Sequence, residues 1–570
     1  MTGPGADIRW AGPRALLVGL AGQGAPGLPA SGLPADALDA VLALHGRLLA
    51  EPLAGQTDAV AAAETVLVTF ATAAHARNAR AVLERLASSR TDAGERAASR
   101  HVAIEVVYDG EDLAEVGRLT GLGAEGVVAA HTGQVWTAAF GGFAPGFAYL
   151  VGEDSVLDVP RRTSPRTAVP AGSVALGGRF SAVYPRQSPG GWQLIGRTAA
   201  VMWDLDREHP ALVRPGDTVS YTAVRESVSV REPAAAPARA AGAEPDAGRP
   251  ALVVVSPGLQ SLLEDLGRPG LGDLGVSAAG AADEPSARQA NRLVGNPPGA
   301  AVIENLFGGL ALRAVGDAVL AVTGAQTPLE VRAHDGGIRR PALNAPFALL
   351  DGEVLELGTP ESGLRAYAAV RGGIDVPEVL GSRAADTMSG LGPAPLAAGT
   401  HLPVAEPSSA FAAVGAPEPP AVVVRPSQTL RVTLGPREDW FAPEALEALT
   451  GQEWTVTEQS NRIGVRLRPV GAGGSDGGEG RALERSRTGE LASEGAVTGS
   501  LQVPPSGHPV LFLPDHPVTG GYPVIAVVVP EDLPLAAQTP PGGRLRFTVV
   551  GPTSTGVPSS ASTSTEGNQP

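Results

Sequence analysis

The 570-residue chain contains no cysteine. That excludes disulfide frameworks, thiolate metal sites and cysteine nucleophiles. It contains no lysine either, so all 43 basic residues are arginine. A Walker A lysine, a Schiff base, a pyridoxal anchor and a biotinylation site are therefore absent from this polypeptide. The abundance of Ala, Gly, Pro and Arg makes genomic base bias the simplest origin of the missing lysine. No uninterrupted apolar run reaches the ~18 residues of a membrane span. The first residues lack the charged-then-apolar pattern of a secretory signal, so a cytoplasmic location is expected. A formal net charge of −16 argues against nucleic acid or an anionic membrane surface as partner.

The length suits roughly three to four domains. Residues 1–95 alternate strand and helix signals and read as a small α/β domain. Leu38, Val41, Leu42, His45, Leu48 and Leu49 fall on one helical face, which makes His45 a packed core histidine. Val102, Ile104, Val106 and Tyr108 alternate as a strand that opens residues 96–231. There a short helix over 111–120 leads to His131, and short strands and turns follow. Residues 232–250 are Ala/Pro-rich and read as a linker. Residues 251–550 form a second large module, with a soft break near 406–420 and a Gly-rich insertion over 471–485. Residues 551–570, rich in Ser, Thr and Pro, read as a disordered tail.

Glycine, proline and aromatics crowd residues 140–198. Gly141, Gly142, Pro145 and Gly146 flank Phe143, Phe147 and Tyr149. Tight turns of this kind bring backbone amides and aromatic walls to a shared surface, or simply build turn-rich β structure. The ordered pieces are His131, Gly142-Phe143-Ala144-Pro145-Gly146-Phe147-Ala148-Tyr149-Leu150, Pro165-Arg166, Val169-Pro170-Ala171-Gly172-Ser173-Val174, Tyr184-Pro185, Ser188-Pro189-Gly190-Gly191-Trp192 and Gly196-Arg197-Thr198. Together they resemble the allophanate hydrolase subunit 1 family, also called the 5-oxoprolinase B-subunit or kinase-A-inhibitor-like family.

The second half resembles the partner family, allophanate hydrolase subunit 2, also called the 5-oxoprolinase C-subunit family. Its pieces are Ser256-Pro257-Gly258-Leu259-Gln260, Glu264-Asp265-Leu266-Gly267-Arg268-Pro269-Gly270, Gly280, Asp283, Ala290-Asn291, Leu293-Val294-Gly295-Asn296 and Glu304. Ser460-Asn461-Arg462-Ile463-Gly464, Ser493-Glu494-Gly495, Gln502-Val503-Pro504 and Thr519-Gly520-Gly521-Tyr522-Pro523 follow. The two families are usually separate proteins acting together, and here they read as fused. The resemblance implies a mainly β protein with an N-terminal α/β domain and tandem cyclophilin-like β-barrels.

A faint internal repeat points the same way. Ala171-Gly172-Ser173-Val174, Gly190-Gly191-Trp192 and residues 215–222 are echoed by Glu494-Gly495-Ala496-Val497, Gly520-Gly521-Tyr522 and residues 541–548.

The reaction the resemblance implies is ATP-driven opening of 5-oxoproline to glutamate. It needs ATP and Mg²⁺, an amide or lactam substrate and a separate partner of the 5-oxoprolinase A-subunit type. Phosphorylating the lactam oxygen calls for cations at phosphate, donors at the developing charge and a carboxylate-held metal. Without lysine, phosphate charge falls to arginine, to backbone amides or to the ion.

Arg166, Arg197 and Arg268 are candidates by their forked geometry, with surface or interdomain ion pairing as the alternative. The Gly190-Gly191 and Gly520-Gly521 pairs are either anion-binding nests or turns. His131 is a candidate general base or a histidine that caps the glycine-rich loop. Phe143, Phe147, Tyr149, Trp192 and Tyr522, with Gly146 in the same loop, are candidate pocket walls or core. Asp265, Asp283, Glu304 and Glu494 are candidate bases or metal ligands, or else turn formers and caps; Asp283, just before Glu284-Pro285, suits a helix N-cap. Asn291, Asn296, Asn461, Arg462 and Gln502 are candidates to hold a polar substrate group. Pro517-Val518 stands where the family more often has a Gln-Thr-type pair, which puts polar contacts from that loop in doubt.

Two other readings stay open. One is a carboxyltransferase of urea- or amide-carboxylase type that uses a biotin carrier on another chain. The other is a non-catalytic, kinase-inhibitor-like binding protein. Exposed strand edges leave room for a homo-oligomer.

Overall fold

The computed structural model describes residues 7–20, 35–88, 99–225, 249–407, 413–471 and 480–551. Most of the expected linker, the middle of the Gly-rich insertion, part of the break near 406–420 and the tail from residue 552 lie outside the described residues.

The first unit is a four-stranded antiparallel sheet in the order Asp7–Trp10, Ala15–Gly19, Thr65–Phe70, Gln56–Ala61. The helices Ala35–Ala50 and Ala73–Ser88 complete it. Strand side chains alternate between two faces. Leu16, Val18, Val66 and Val68 pack in the core that includes the helices' Val41, Leu48, Ala76 and Leu83. Ala15, Leu17, Val60 and Leu67 point the other way and pack on Val518, far along the chain. Both faces are thus covered. His45 is buried, and its Nε2 lies 3.1 Å from the Ala59 carbonyl. The helix is turned slightly from the sequence expectation: Leu44 is buried whereas Leu49 is 49% exposed.

The second unit is a seven-stranded sheet in the order Gln193–Arg197, Ser173–Gly177, Phe180–Val183, Ala144–Gly152, Trp136–Gly142, Thr218–Ala223, His101–Val106. A bridge between Val107 and Arg197 joins its first and last strands and closes it into a barrel. The helix Gly123–Thr132, which carries His131, is an element the sequence reading missed. Gly123 at its start and Gly126 inside it hide it, because glycine is a poor helix former.

The second half starts with a six-stranded and a five-stranded sheet. The helix Glu284–Leu293 packs on the five-stranded sheet. Asp283 is its N-cap and accepts from the Ser286 N–H at 3.0 Å. A closed barrel follows, in the order Ser427–Leu434, Val524–Val528, Ser500–Gln502, Val510–Phe512, Gly464–Pro469, Trp454–Val456, Arg544–Val549.

The two seven-stranded barrels are the same object. Strand by strand, their cyclic order is identical, and each has a single parallel pair, between its first and last strands in the sequence. Each carries a separate two-stranded ribbon: Arg166–Val169 with Ser188–Gly190 in one, Glu494–Gly495 with Thr519–Gly520 in the other. Their cores match position for position, Ile104 with Leu430, Trp136 with Trp454, Tyr221 with Phe547. Each such burial stabilises by about 1.5–3 kcal/mol. The sequence repeat is therefore genuine, with one correction. Ser173–Gly177 corresponds to Ser500–Gln502, so Ala171-Gly172-Ser173-Val174 aligns with Thr498-Gly499-Ser500-Leu501 and not with residues 494–497.

Candidate functional site

The ribbon of each barrel carries an ion pair at its root, and the polarity is reversed between the two. In the first barrel Arg166 stands opposite Gly190 in the ribbon. It donates to Asp112 at 2.9 Å, and Arg162 donates to the same carboxylate at 2.7 Å. In the second barrel Glu494 stands opposite Gly520. Both of its oxygens accept from Nε of Arg437, at 2.9 Å each.

Asp112 and Arg437 are equivalent. Each lies two residues after a glycine, and their N–H groups donate to the matching carbonyls of Leu194 and Val524. Burial would raise the Asp112 pKa, but the hydrogen bond from Arg166 and the adjacent arginines hold it below the ordinary value. An arginine also covers the aromatic residue that follows each Gly-Gly pair: Arg161 lies 5.8 Å from the Trp192 ring centroid, and Arg485 lies 5.6 Å from that of Tyr522.

The halves meet along a seam where the first barrel touches the second ribbon. The turn Gly141-Gly142-Phe143 seats on Asp273 and on Thr519; a Cβ on Gly142 would run into the Thr519 hydroxyl. Phe143 turns the chain with φ of 63°, a costly backbone conformation for a side-chain-bearing residue that persists only where its surroundings hold it. Behind it Phe147 packs edge-to-face on Tyr149, Tyr184 and Trp192, with centroids 5.0–5.7 Å apart. The Tyr149 hydroxyl is hydrogen-bonded to Ser493 across the seam. Glu64 of the first unit sits in the field of Glu494, Arg437 and Arg179, and burial together with Glu494 pushes its pKa up. Further along, Arg186 of the first barrel lies in the field of Asp386, whose carboxylate accepts from Ser277 at 2.6 Å.

His131 is sealed in the first barrel's core, with no exposed surface. Its Nδ1 lies 2.7 Å from the Tyr108 hydroxyl and its Nε2 2.9 Å from that of Ser181. The ring stacks on Tyr221 at 4.2 Å. Burial pushes its pKa down to about 3. The Trp136 indole N–H donates to the His131 carbonyl, as Trp454 donates to that of Leu449, both at 3.0 Å. The counterpart of His131 in the sister barrel is therefore a leucine.

The candidate phosphate arginines are engaged elsewhere. Arg166 is held by Asp112 and Glu111, and Arg197 by Asp109 at 2.8 Å. Arg268 is buried and donates to the Val379 and Ala384 carbonyls. Of the candidate acids, Asp265 accepts from Gly267, Ser382 and Arg383 and so braces a loop.

Glu304 and Arg462 belong to one sealed cluster between the double-sheet body and the closed barrel. Arg462 donates to Glu304 at 2.6 Å, to both Asp515 oxygens at 3.0 and 2.9 Å and to the Gly280 carbonyl. Glu264 stands 3.3 Å from the same guanidinium, and burial drives its pKa well above the ordinary range. Asn291 and Asn296 bond to each other and to backbone groups. Asn461 closes a turn by accepting from Ile463 and Gly464. Gln502 donates to the Tyr522 carbonyl beneath the second ribbon.

At the seam Gly142 and Tyr149 of the first barrel meet Thr519 and Ser493, the neighbours of Gly520 and Glu494, while Phe147 and Trp192 are buried in the core of the first half. His131, Asp265, Arg268, Asp283, Asn291, Asn296, Glu304, Asn461 and Arg462 lie apart from it. Sequence reading missed Asp112, Arg437, Arg186 and Asp386. Superposing the repeat would have shown the first two. Among the described residues no three His, Cys, Asp or Glu side chains converge to hold a metal ion.

Known families complete the picture. Residues 6–213 match the carboxyltransferase domain, subdomain C and D, and residues 274–549 match subdomain A and B. The chain belongs to the carboxyltransferase-domain family. It is 33% identical over 302 residues to the C subunit of 5-oxoprolinase from Escherichia coli (strain K12), covering 52% of this chain and 90% of that protein. It is 46% identical over 133 residues to the B subunit of 5-oxoprolinase from Escherichia coli O157:H7, covering 23% of this chain and 61% of that one. Urea amidolyase of Lachancea kluyveri is 34% identical over 316 residues, which are 52% of this chain but 17% of that protein. The crystal structure of TTHA0988 covers 94% of this chain and 99% of its own, with a TM-score of 0.78 at 34% identity. The chain is thus a fusion of two halves, the first similar to the B subunit and the second similar to the C subunit of 5-oxoprolinase. No helix among the described residues is long and apolar enough to cross a membrane.

Proposed function

We propose that this chain is the B/C component of an ATP-dependent 5-oxoprolinase, preparing 5-oxoproline for ring opening to glutamate together with a separate A subunit. The carrying observation is that a B-like and a C-like half share one polypeptide, that the first barrel's Gly141-Gly142 turn seats against the second ribbon, and that each half has a Gly-Gly-aromatic ribbon with an arginine over its aromatic ring. On this reading the aromatic wall excludes water from the lactam ring. Arg161 or Arg485 receives its carboxylate. ATP would supply the activating phosphoryl group. We assign His131 to the fold, because a ring with both nitrogens engaged in a sealed core has no route to substrate.

The test is glutamate formation from 5-oxoproline by the purified chain with ATP and Mg²⁺, with and without an active A subunit. Glutamate only with all components present supports the reading; none, with an A subunit proven active, refutes it. The urea amidolyase likeness favours one alternative, carboxyl transfer from a carboxybiotin carried on another chain. Bicarbonate- and carrier-dependent carboxylation of urea, without glutamate formation, would select it.

A further inference from the structure

A cavity of about 270 Å³ lies between the first unit's sheet, the loop 269–278 and the closed barrel. This is near the lower end of the roughly 300–1,000 Å³ typical of small-molecule sites. Its wall is largely apolar, with Val60, Leu67, Val276, Val497, Val518 and Val527 contributing. Most of its polar groups are already satisfied. Asp58 accepts from the Gly272 and Ala59 N–H groups. The Thr57 and Thr69 hydroxyls bond to each other at 2.9 Å, and Ser277 donates to Asp386.

His516 is an exception. It is 7% exposed, and its ring stacks on Phe512 with centroids 5.1 Å apart. Nδ1 lies 2.8 Å from the Pro517 carbonyl oxygen. A carbonyl only accepts, so Nδ1 must carry the proton. Nε2 is then a bare acceptor. It has no partner among the described residues, and the side chain lines the cavity. An acceptor that no protein donor occupies, on a largely apolar wall, is open to a donor from the cavity.

We propose that this cavity binds a small, uncharged, largely apolar molecule that offers one N–H donor to Nε2 of His516. An anion is disfavoured by the Asp58 carboxylate on the same wall. Arg14, which pairs with Glu531 at 3.1 Å, and Pro530 also line the cavity. Three parts of the chain form the walls, so an occupant would clamp the first unit to the second half. The site stands apart from the seam reading and does not depend on it.

Indole and indene form a matched pair of probes: nearly the same shape, with an N–H donor in the first only. Titration of the full chain by calorimetry is expected to give saturable indole binding, with indene at least about tenfold weaker, the factor one net hydrogen bond of ~1.4 kcal/mol supplies. Indole-3-carboxylate should not bind. His516→Phe should bring indole and indene to equal affinity. Val518→Trp should fill the cavity and abolish binding, with Val60→Phe as a second filling variant should that one not fold. No saturable indole binding, equal affinity for indole and indene in the unaltered chain, or indole binding that survives filling would each overturn the proposal.

Discussion

Replacing His131 with leucine, the residue at the matching position of the sister barrel, separates a structural from a catalytic histidine. The change removes the hydrogen bonds to Tyr108 and Ser181. Ser181 keeps Tyr221 at 3.3 Å, and Tyr108 is half-buried and can turn toward water. The cost near pH 7.5 should be about 1–3 kcal/mol.

Acid alters the balance. The folded-state pKa of His131 is about 3 against an ordinary 6.5, so the unfolded chain binds the proton more readily. A depressed histidine pKa makes stability fall as pH drops below about 6.5, until the folded-state pKa is reached. At pH 5 this one residue should cost the parent roughly 2 kcal/mol, because 1.5 pH units at 1.36 kcal/mol each separate pH 5 from 6.5. His131→Leu escapes that loss. Its stability deficit should shrink by about 2 kcal/mol between pH 7.5 and 5, and disappear or reverse. Urea titrations followed by Trp fluorescence suit the purpose, since Trp136 lies 4.9 Å from the His131 ring. His45 and His516 titrate in both proteins and cancel in the difference. A deficit independent of pH, or loss of turnover in a variant of normal stability, would refute the structural assignment.

Removing one partner of the Arg437–Glu494 pair, as in Arg437→Ala, should cost about 3–5 kcal/mol in urea unfolding, because a nearly buried carboxylate is left uncompensated. The double change Arg437→Asp with Glu494→Arg copies the polarity of the first barrel and should recover more than half of that loss; no recovery would show that the two ribbons are not interchangeable. Gly142→Val drives a side chain into Thr519 and should lower stability by about 1–3 kcal/mol. Gly451→Ala, which meets nothing within 4 Å, should leave the melting curve unchanged or slightly raised. Arg161→Ala and Arg485→Ala should raise KM for 5-oxoproline about tenfold in at least one case, with a smaller change in kcat; unchanged KM in both would remove them from substrate binding.

Much of the fold was legible because its signals are local. The alternation of Val102, Ile104 and Val106 and the periodicity of the first helix arise from neighbours along the chain. The helix around His131 was not legible, since Gly123 and Gly126 weaken the local signal and packing of Val127 and His131 against the barrel decides the outcome. The site divides in the same way. Glycine-aromatic motifs marked the ribbons, because tight turns leave a compositional trace. The partners of Arg166 and Glu494 left none: Asp112 and Arg437 are 54 and 57 residues away from them, and only barrel closure brings each pair together. The acids and amides from Asp265 to Glu304 looked like binding residues for the same reason they are good scaffolding. Polar side chains that satisfy buried backbone groups and substrate-binding side chains are drawn from one set of residue types.

Reversal of the ribbon ion pair says something about what a duplicated barrel gains by diverging. The cyclic strand order, the tryptophan that caps the preceding helix and the arginine over each ribbon aromatic are kept in both copies. These are the parts that closing a barrel and presenting a ribbon require. The change falls on the strand that faces the ribbon's glycine, where Arg166 in one copy becomes Glu494 in the other, and on its partner two residues past the matching glycine. Each pair stays neutral as a unit, so folding tolerates the reversal. The field along the seam does not stay the same: an inner-strand cation flanks one Gly-Gly turn and an inner-strand anion the other. A symmetric seam would bind the two ends of a small ligand equally well. On the proposed function the ligand is a lactam acid, whose carboxylate and amide ends differ, and unlike walls would orient it. Divergence of the ion pairs changes two positions per barrel and leaves both cores intact.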